Sequence, residues 1–155
     1  MINYKRILLK LSGEALSDNR QKLILDAKHL DIVATAIKSM YEQGVQIAIV
    51  VGAGNIWRGK LAEQIGIERS TADYMGMLGT IINALALQSA IEKTGLECRV
   101  MSAIEVKAVS EPYIKKRAIS HMEKGRVVIF GGGTGNPFFT TDTTATLRAI
   151  EVEAD

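Results

Sequence analysis

The segment VQIAIVV, residues 45–51, restricts the fold of this chain more than any other feature, because all but one of its residues are apolar. A strand with one solvated face alternates apolar and polar residues, whereas an unbroken apolar run is typical of a strand covered on both faces. Such strands lie inside parallel sheets with helices on either side. The segment therefore predicts a central strand, and a glycine-containing loop, GAGNIWRG, follows it at once.

Strand-like and helix-like segments alternate along the rest of the chain. Short apolar runs predict three further strands, within KRILLKLS at residues 5–12, ECRVMSAIEV at 97–106 and RVVIF at 126–130. Because helical segments separate these runs, the order predicts an α/β fold with a mostly parallel sheet and right-handed crossovers.

Four segments have the features of helices. Apolar residues recur at three- and four-residue spacing in residues 26–44, and a glycine closes that pattern. The segment at 70–94 is apolar over most of its circumference, which favours deep burial or a subunit interface. Residues 111–125 predict a helix with proline in its first turn and glycine at its end. A last helix opens near residue 143.

Composition excludes several classes of protein. The chain carries 19 basic and 17 acidic residues, a net charge of +2 that is too small to indicate nucleic acid binding. Its KKR triplet at residues 115–117 is interpreted as a solvated helix face. The single cysteine, Cys98, rules out a disulfide within the chain and is predicted to be buried and inert. Residues 75–87 are too short and interrupted for a membrane span. We expect a cytoplasmic protein.

Three of the four predicted strands end in glycine-containing loops: KLSGE at residues 10–14, GAGNIWRG at 52–59, and GGGTGNPFFTTDTTA at 131–145. In open parallel sheets, ligands bind outside the carboxyl ends of the strands. Glycine lets backbone N–H groups approach an anion closely, and successive N–H groups form a concave anion site. The third loop lacks the lysine of a P-loop, and the second lacks the last glycine of the dinucleotide fingerprint.

Charged residues near these loops suggest the chemistry. Lys10, a compact point charge, ends an apolar strand and is suited to a transferring phosphoryl group. Arg58 is either a fork for phosphate oxygens or a surface arginine. Asp73, in the first turn of its helix, either complements the helix dipole or accepts from sugar hydroxyls. Asp142 is an N-cap, or it positions a lysine or a magnesium ion. The set favours phosphoryl transfer over acyl or hydride transfer.

Taken together, KRILLKLSGEAL, VGAGNIWRG, ADYMGMLGTIINALAL and GGGTGNPFFTTDTTA resemble, in order and spacing, the bacterial uridylate (UMP) kinases of the amino acid kinase family. The resemblance covers essentially the whole chain. It implies a three-layer α/β/α sandwich and transfer of the γ-phosphoryl group of ATP to UMP, with Mg²⁺, in pyrimidine nucleotide biosynthesis. It also implies a homo-oligomer, a hexamer, with GTP or UTP as effector, and no metal ligand in this chain.

The resemblance also assigns residues. Lys10 would stabilise the transferring group, and Asp142 would orient the catalytic lysine. The residues assigned to ATP and its phosphates are Lys10, Leu11, Ser12, Gly13, Gly54 and Arg58. The residues assigned to UMP are Ala53, Asp73, Thr134, Gly135, Asn136, Pro137, Phe138, Phe139, Thr140 and Thr141. Among these, Asp73 would hold the ribose, Thr134 and Asn136 would lie near uracil, and Thr141 would lie near the phosphate.

Two departures from the family pattern stand out. Ala53 replaces the usual middle glycine of the second loop, so its backbone contact to UMP requires a negative φ. Family members are also longer and carry a VDGVY-like motif that holds the ATP base and ribose. We therefore expect a chain truncated at its C-terminus, in which residues 1–155 are the acceptor-binding part without the ATP-binding part. Alone, it should be inactive.

Two alternatives remain at this point. One is a kinase of the same fold acting on a small carboxylate or carbamate, against which the NPFFTTD segment argues. The other is a non-catalytic nucleotide sensor, which would need neither Lys10 nor Asp142.

Overall fold

A computed structural model describes residues 3–155 and contains one five-stranded sheet. All its pairings are parallel, and the strand order is β1-β2-β5-β3-β4. The α/β prediction is therefore confirmed. The strands are β1 Arg6–Leu11, β2 Gln46–Val51, β3 Cys98–Ser102, β4 Glu111–Pro112 and β5 Val127–Gly131.

Helices cover both faces of the sheet and complete three layers. Helices α1 and α3 pack on one face, and α4 and α5 pack on the other. A short 3-10 turn follows β1, and the small helix α2 precedes α3. The helical elements are the 3-10 turn Gly13–Leu16, α1 Ala27–Glu42, α2 Gly59–Gln64, α3 Arg69–Glu92, α4 Lys115–Glu123 and α5 Thr141–Glu151.

Strand β2 lies between the two cores, as its apolar sequence predicts. Ile47, Ile49 and Val51 belong to the core with α1 and α3, whereas Ala48 and Val50 belong to the core with α4 and α5. None of the five is more than 2% exposed. Burying such an aliphatic side chain contributes about 1.5–3 kcal/mol, so both faces of this strand stabilise the domain.

The segment around Pro112 differs from the prediction. Residues 111–125 do not form one helix with proline in its first turn, because Glu111–Pro112 pairs with β3 as the edge strand β4. The Tyr113 N–H then donates to the Ser102 carbonyl at 2.9 Å, and the helix begins only at Lys115. Proline has no N–H for a sheet ladder, so an edge strand is where a sheet tolerates it.

Cys98 at the start of β3 is fully buried, as predicted. Burial, together with the nearby Glu92 carboxylate, raises the pKa of its thiol to about 12. Because the thiolate is the reactive species, this cysteine is inert at neutral pH.

Helix α3 is longer than the apolar stretch identified in the sequence. With 24 residues it is long and apolar enough to cross a membrane by length and composition alone, and the sequence-based exclusion on length was therefore too strict. In the described part of the chain it is a core helix. It packs on β3 and β5 through residues such as Ala84, Leu87 and Ile91.

Asp26 caps the N-terminus of α1, where its carboxylate accepts from the His29 N–H at 3.0 Å and lies 2.5 Å from His29 Nδ1. The hydrogen bonds from His29 hold the pKa of Asp26 below its usual 3.8. A depressed carboxylate pKa adds stability above the unfolded-state pKa. That stability is lost as the pH falls through the folded-state pKa.

We therefore expect Asp26→Asn, which keeps a capping oxygen but removes the charge, to melt below wild type at pH 6. The difference should shrink as the pH is lowered from about 5 toward 2. Thermal melts followed by circular dichroism across this range measure it. Asp31→Asn removes a charge from the same helix and serves as the control. A pH-independent difference between wild type and Asp26→Asn would contradict the assignment.

Candidate functional site

Three glycine-containing loops meet at one edge of the sheet. Strands β1, β2 and β5 are neighbours, so the loops that follow their carboxyl ends lie side by side. The Gly52 N–H donates to the Leu11 carbonyl at 2.9 Å. A side chain at Gly13 would come within 2.8 Å of the Gly52 carbonyl oxygen. The first two loops are therefore packed backbone against backbone.

A cavity of about 350 Å³ lies between the second loop, α3 and the third loop. Its volume falls within the range of small-molecule sites. Several of the residues assigned to UMP or ATP from the sequence line it, namely Ala53, Gly54, Asp73, Thr134, Asn136, Phe139, Thr140 and Thr141.

Asn83, in the middle of α3, holds the second loop in place. It is fully buried, and its amide nitrogen donates to the Gly52 carbonyl at 2.8 Å. It also exchanges two hydrogen bonds with the amide of Asn55, at 2.8 and 3.1 Å. Asn55 in turn donates to the Ile24 carbonyl at 2.9 Å. The loop is thus fastened to the helix by a fully satisfied polar pair.

Thr80, three residues earlier on α3, holds the third loop. Its hydroxyl accepts from the Gly132 N–H at 2.8 Å and donates to the Met77 carbonyl at 2.6 Å. Gly132 has φ +78°, and a Cβ there would lie 2.9 Å from Ser102 Oγ. Only glycine fits this position. Through Asn83 and Thr80, the single helix α3 therefore holds both the second and the third loop.

Lys10 and Asp142 lie next to each other, which agrees with the pairing that the family resemblance implies. The Lys10 Nζ lies 3.1 Å from the Asp142 carboxylate, and the side chains are 42% and 81% exposed. The N-cap of α5 is Thr140, whose hydroxyl accepts from the Thr143 N–H at 3.1 Å. Asp142 is therefore not a cap, and its carboxylate faces the lysine.

Arg58 forms an ion pair with Glu14, a residue that the sequence analysis did not select. Gly54 lies beside the pair, since a Cβ there would be 3.2 Å from Glu14 Oε1. The Ser12 hydroxyl accepts from the Glu14 N–H at 3.2 Å. Glu14 thus links the first loop to the second. A carboxylate directly after Ser-Gly was the available sequence signal.

Asp73 lies in the second turn of α3, not in the first, because the helix begins at Arg69. Its carboxylate accepts from the Phe138 N–H at 2.7 Å, and Arg69 Nε lies 4.0 Å away. The Arg69 guanidinium also lies 4.8 Å from the centroid of the Phe138 ring. Phe138 has φ +71°, an uncommon conformation for a non-glycine residue. These contacts fasten the third loop to α3.

Not every assigned residue lines the cavity. Gly135, Pro137 and Phe138 do not line it, and a Cβ at Gly135 would lie 3.1 Å from the Ala103 carbonyl oxygen. The other assigned residues outside the cavity lining are Lys10, Leu11, Ser12, Gly13, Arg58 and Asp142. The sequence analysis missed several lining residues, namely Trp57, Gly76, Met77, Thr80 and Thr144.

Trp57 is the most informative of the missed residues. Its indole Nε1–H donates to the Ala72 carbonyl at 2.9 Å, so the ring lies along α3. A Cβ at Gly76 would lie 3.8 Å from the ring. That is an ordinary van der Waals distance, so the ring packs beside this turn of the helix. Tryptophan in a glycine loop was a usable signal.

The N-terminus of α5 completes the site. Its N-cap Thr140 and its first residue Thr141 line the cavity. The first N–H groups of a helix have no acceptor within the helix, and the helix dipole adds positive potential there. An anion at this end of the cavity would therefore be stabilised. Lys10 is near this helix end because it pairs with Asp142, the second residue of α5.

One group of potential metal ligands occurs in residues 3–155, and it lies outside the cavity. Oxygen or nitrogen atoms of Asp18, Asp26 and His29 lie within 4.8 Å of one another. Because Asp26 and His29 already bond to each other in the cap of α1, this group is accounted for by the fold.

The comparisons with known proteins agree with this architecture. The sequence profile of the amino acid kinase family matches residues 5–155. The chain is 50% identical to the UMP kinase from Bacillus anthracis, with a TM-score of 0.94, covering 98% of this chain and 62% of that one. It is 38% identical to the UMP kinase from Ureaplasma parvum, with a TM-score of 0.92, covering 98% and 66%. It thus spans less than two thirds of either relative.

Removing the Asn83 side chain should loosen the site by leaving the Gly52 carbonyl and Asn55 without their partner. We expect Asn83→Ala to lower the free energy of unfolding by about 1–3 kcal/mol. In a double-mutant cycle with Asn55→Ala, urea unfolding should give a coupling of at least about 0.5 kcal/mol.

Gln88→Ala is the matched control, because it also removes an α3 amide that bonds a backbone carbonyl, that of Cys98, without touching a loop. Strict additivity of Asn83→Ala and Asn55→Ala would show that the amide pair does not hold the loop.

Proposed function

The chain belongs to the amino acid kinase family, and on that premise we propose that it carries the UMP site of a UMP kinase. The reaction would transfer the γ-phosphoryl group of ATP to UMP and release UDP and ADP, in pyrimidine nucleotide biosynthesis. One observation supports this most directly. A cavity of about 350 Å³ opens beside the Lys10–Asp142 pair at the N-terminus of α5.

The cavity supports a nucleoside monophosphate as the acceptor. In our proposal Thr134 and Asn136 lie against the uracil base, Asp73 accepts from the ribose hydroxyls, and the phosphate sits at the start of α5 near Thr141. The Asp73 carboxylate already accepts one hydrogen bond, from Phe138, and has a second oxygen to offer. Ala53 lines the cavity and would make the backbone contact that glycine makes elsewhere in the family.

Lys10 and Asp142 would act on the transferring group. As a UMP phosphate oxygen bonds to the γ-phosphorus, the bond to the β–γ bridging oxygen breaks and ADP leaves with that electron pair. The transition state carries negative charge on the γ-phosphoryl oxygens, so positioning and charge neutralisation supply most of the catalysis. Lys10 supplies the positive charge, and Asp142 holds it at 3.1 Å. Arg58 would bind the phosphate oxygens after its ion pair with Glu14 breaks.

The donor would be ATP, with Mg²⁺ entering as its complex. Lys10, Leu11, Ser12, Gly13, Gly54 and Arg58 would meet the donor phosphates at the edge of the cavity. Since the chain spans 62% and 66% of its two relatives, we propose that residues 1–155 form the acceptor part. The ATP base and ribose would then be held by residues outside 1–155, and residues 1–155 alone would be inactive.

We further propose a cytoplasmic homo-oligomer, a hexamer regulated by GTP or UTP. Three apolar residues one turn apart on α3 support an interface between subunits, because Tyr74, Leu78 and Ile82 are 44–50% exposed. A free cysteine and the absence of a disulfide in residues 3–155 accord with a reducing compartment. The effector rests on the family resemblance.

The function is tested by titrating the chain with UMP, CMP and AMP in a calorimeter. UMP should bind most tightly, and Asp73→Asn should weaken UMP about 10- to 100-fold, the loss of one charged hydrogen bond. In the complete enzyme, Asp73→Asn should weaken ATP binding less than UMP binding. Glu92→Gln removes the same charge near the other end of α3 and should bind UMP like wild type. Equal binding of all three nucleotides, or equal losses for UMP and ATP, would contradict the proposal.

Lys10→Ala should lower turnover in the complete enzyme by about 100-fold or more. The KM for UMP should stay nearly constant, because the lysine acts on charge that develops in the transition state. Steady-state kinetics separate the two parameters. Lys124→Ala, at the end of α4, is the control. A rise in KM with unchanged turnover would instead assign Lys10 to ground-state binding.

A further inference from the structure

Arg148 of α5 is a buried charge that the proposed chemistry does not use. Its side chain is 6% exposed, and its guanidinium lies 2.6 Å from Glu151 Oε1. It also lies 4.1 Å from the centroid of the Tyr113 ring. The other terminal nitrogen, Nη2, donates to the carbonyl of Gly133 at 3.2 Å. The residue thus joins α5 to the third loop.

The surroundings of Arg148 form a polar cluster in which Glu151 and Tyr113 are partly buried. The Tyr113 hydroxyl donates to Glu151 at 3.1 Å, and the Tyr113 ring packs edge-on against Phe130 at 5.3 Å. Burial, together with the Glu151 carboxylate, raises the pKa of Tyr113 to about 12, so its hydroxyl stays protonated. A buried ion pair adds little stability compared with apolar residues of similar size. Stability alone therefore does not account for this cluster.

The contact with Gly133 fixes the direction of the next backbone N–H. Residues 3–155 contain no cis peptide bond, so the Gly133 carbonyl and the Thr134 N–H point in opposite directions. Arg148 does not line the cavity, whereas Gly133 and Thr134 both do. Because Arg148 holds the carbonyl, the N–H of the same peptide points away from Arg148.

The Thr134 N–H has no acceptor among the described residues. Of the nearby N–H groups, Gly132 donates to Thr80, Gly135 to the Gly132 carbonyl, and Asn136 to the Thr134 hydroxyl. The Gly133 N–H has no acceptor among the described residues either, but Arg148 does not hold the carbonyl of its peptide. A positive charge on the carbonyl of a peptide also polarises its N–H and strengthens it as a donor. Thr134, which lines the cavity, thus carries an unused donor on a peptide whose carbonyl Arg148 holds.

We propose that Arg148 is a positioning residue of the acceptor site, which aims the Thr134 N–H at an acceptor oxygen of the bound substrate. The inference rests on the proposed function. That oxygen belongs either to a carbonyl of the base or to the phosphate. Arg148 itself touches no substrate and acts only through the Gly133–Thr134 peptide.

The test compares UMP binding by wild type, Arg148→Met and Arg148→Lys in a calorimeter, with thermal melts to establish folding. Arg148→Met should raise the dissociation constant of UMP about 10-fold, the loss of one oriented hydrogen bond. Arg148→Lys keeps a charged donor and should recover part of the affinity. Val152→Ala is the control, because Val152 is fully buried just beyond the same helix and does not touch the loop. It should lower the melting temperature but keep the affinity within about two-fold.

A second ligand locates the acceptor oxygen. Uridine has the base carbonyls but no phosphate, so a 10-fold loss for uridine as well as UMP places the oxygen on the nucleoside. A loss for UMP alone places it on the phosphate. If Arg148→Met does not fold, the test uses Arg148→Lys and follows the Thr134 backbone amide by NMR. The change in the chemical shift of this amide on adding UMP should be smaller in Arg148→Lys than in wild type.

The outcomes separate the two proposals. Wild-type affinity in folded Arg148→Met, or in Arg148→Lys an unchanged Thr134 shift, overturns the role of Arg148 and leaves the UMP site standing. A wild-type chain that binds no UMP overturns the proposed function and this inference together.

Discussion

The buried amide of Asn83 is the interaction on which the site depends. Helix α3 crosses the sheet edge where the glycine loops end, and without polar anchors those loops would have no fixed distance from it. Asn83 bonds the Gly52 carbonyl at 2.8 Å, and Thr80 receives the Gly132 N–H at 2.8 Å. Because an unpaired buried polar group costs about 1–3 kcal/mol, each anchor stabilises one loop position and penalises others. The cavity keeps its shape for this reason.

The sheet was predictable from the sequence because burial on both faces leaves a direct mark. The run that became β2 has no polar alternation, and glycine follows it. The edge strand β4 was not predictable, since its two residues leave no period and Pro112 also suits the first turn of a helix. Tertiary pairing with β3 decided between the two. The strand order, which brings the three loops together, is also determined by long-range contacts and was not predicted.

The same contrast separates the site residues. Lys10 lies near the end of β1 and Asp142 lies in the first turn of α5, so both stand next to recognisable glycine loops. The family resemblance implied that the two residues act together, and they lie 3.1 Å apart. Asn83, Thr80 and Arg148 sit inside helices, where a polar residue in the sequence looks like an interruption or a solvated position. Each bonds a backbone group of a glycine that lies at least 15 residues away in the sequence. Sequence spacing does not predict such contacts. The positioning residues were therefore the ones missed.

The two exposed cations differ from the buried anchors in what holds them. Lys10 pairs with Asp142, and Arg58 pairs with Glu14, in each case with side chains that are exposed to solvent. Ion pairs of this kind contribute at most about 1 kcal/mol, so an incoming phosphate can exchange with either carboxylate at little cost. The buried contacts of Asn83 and Arg148 cannot exchange with solvent in this way. The site therefore combines fixed backbone loops with two charged side chains that can change partners and bind a ligand.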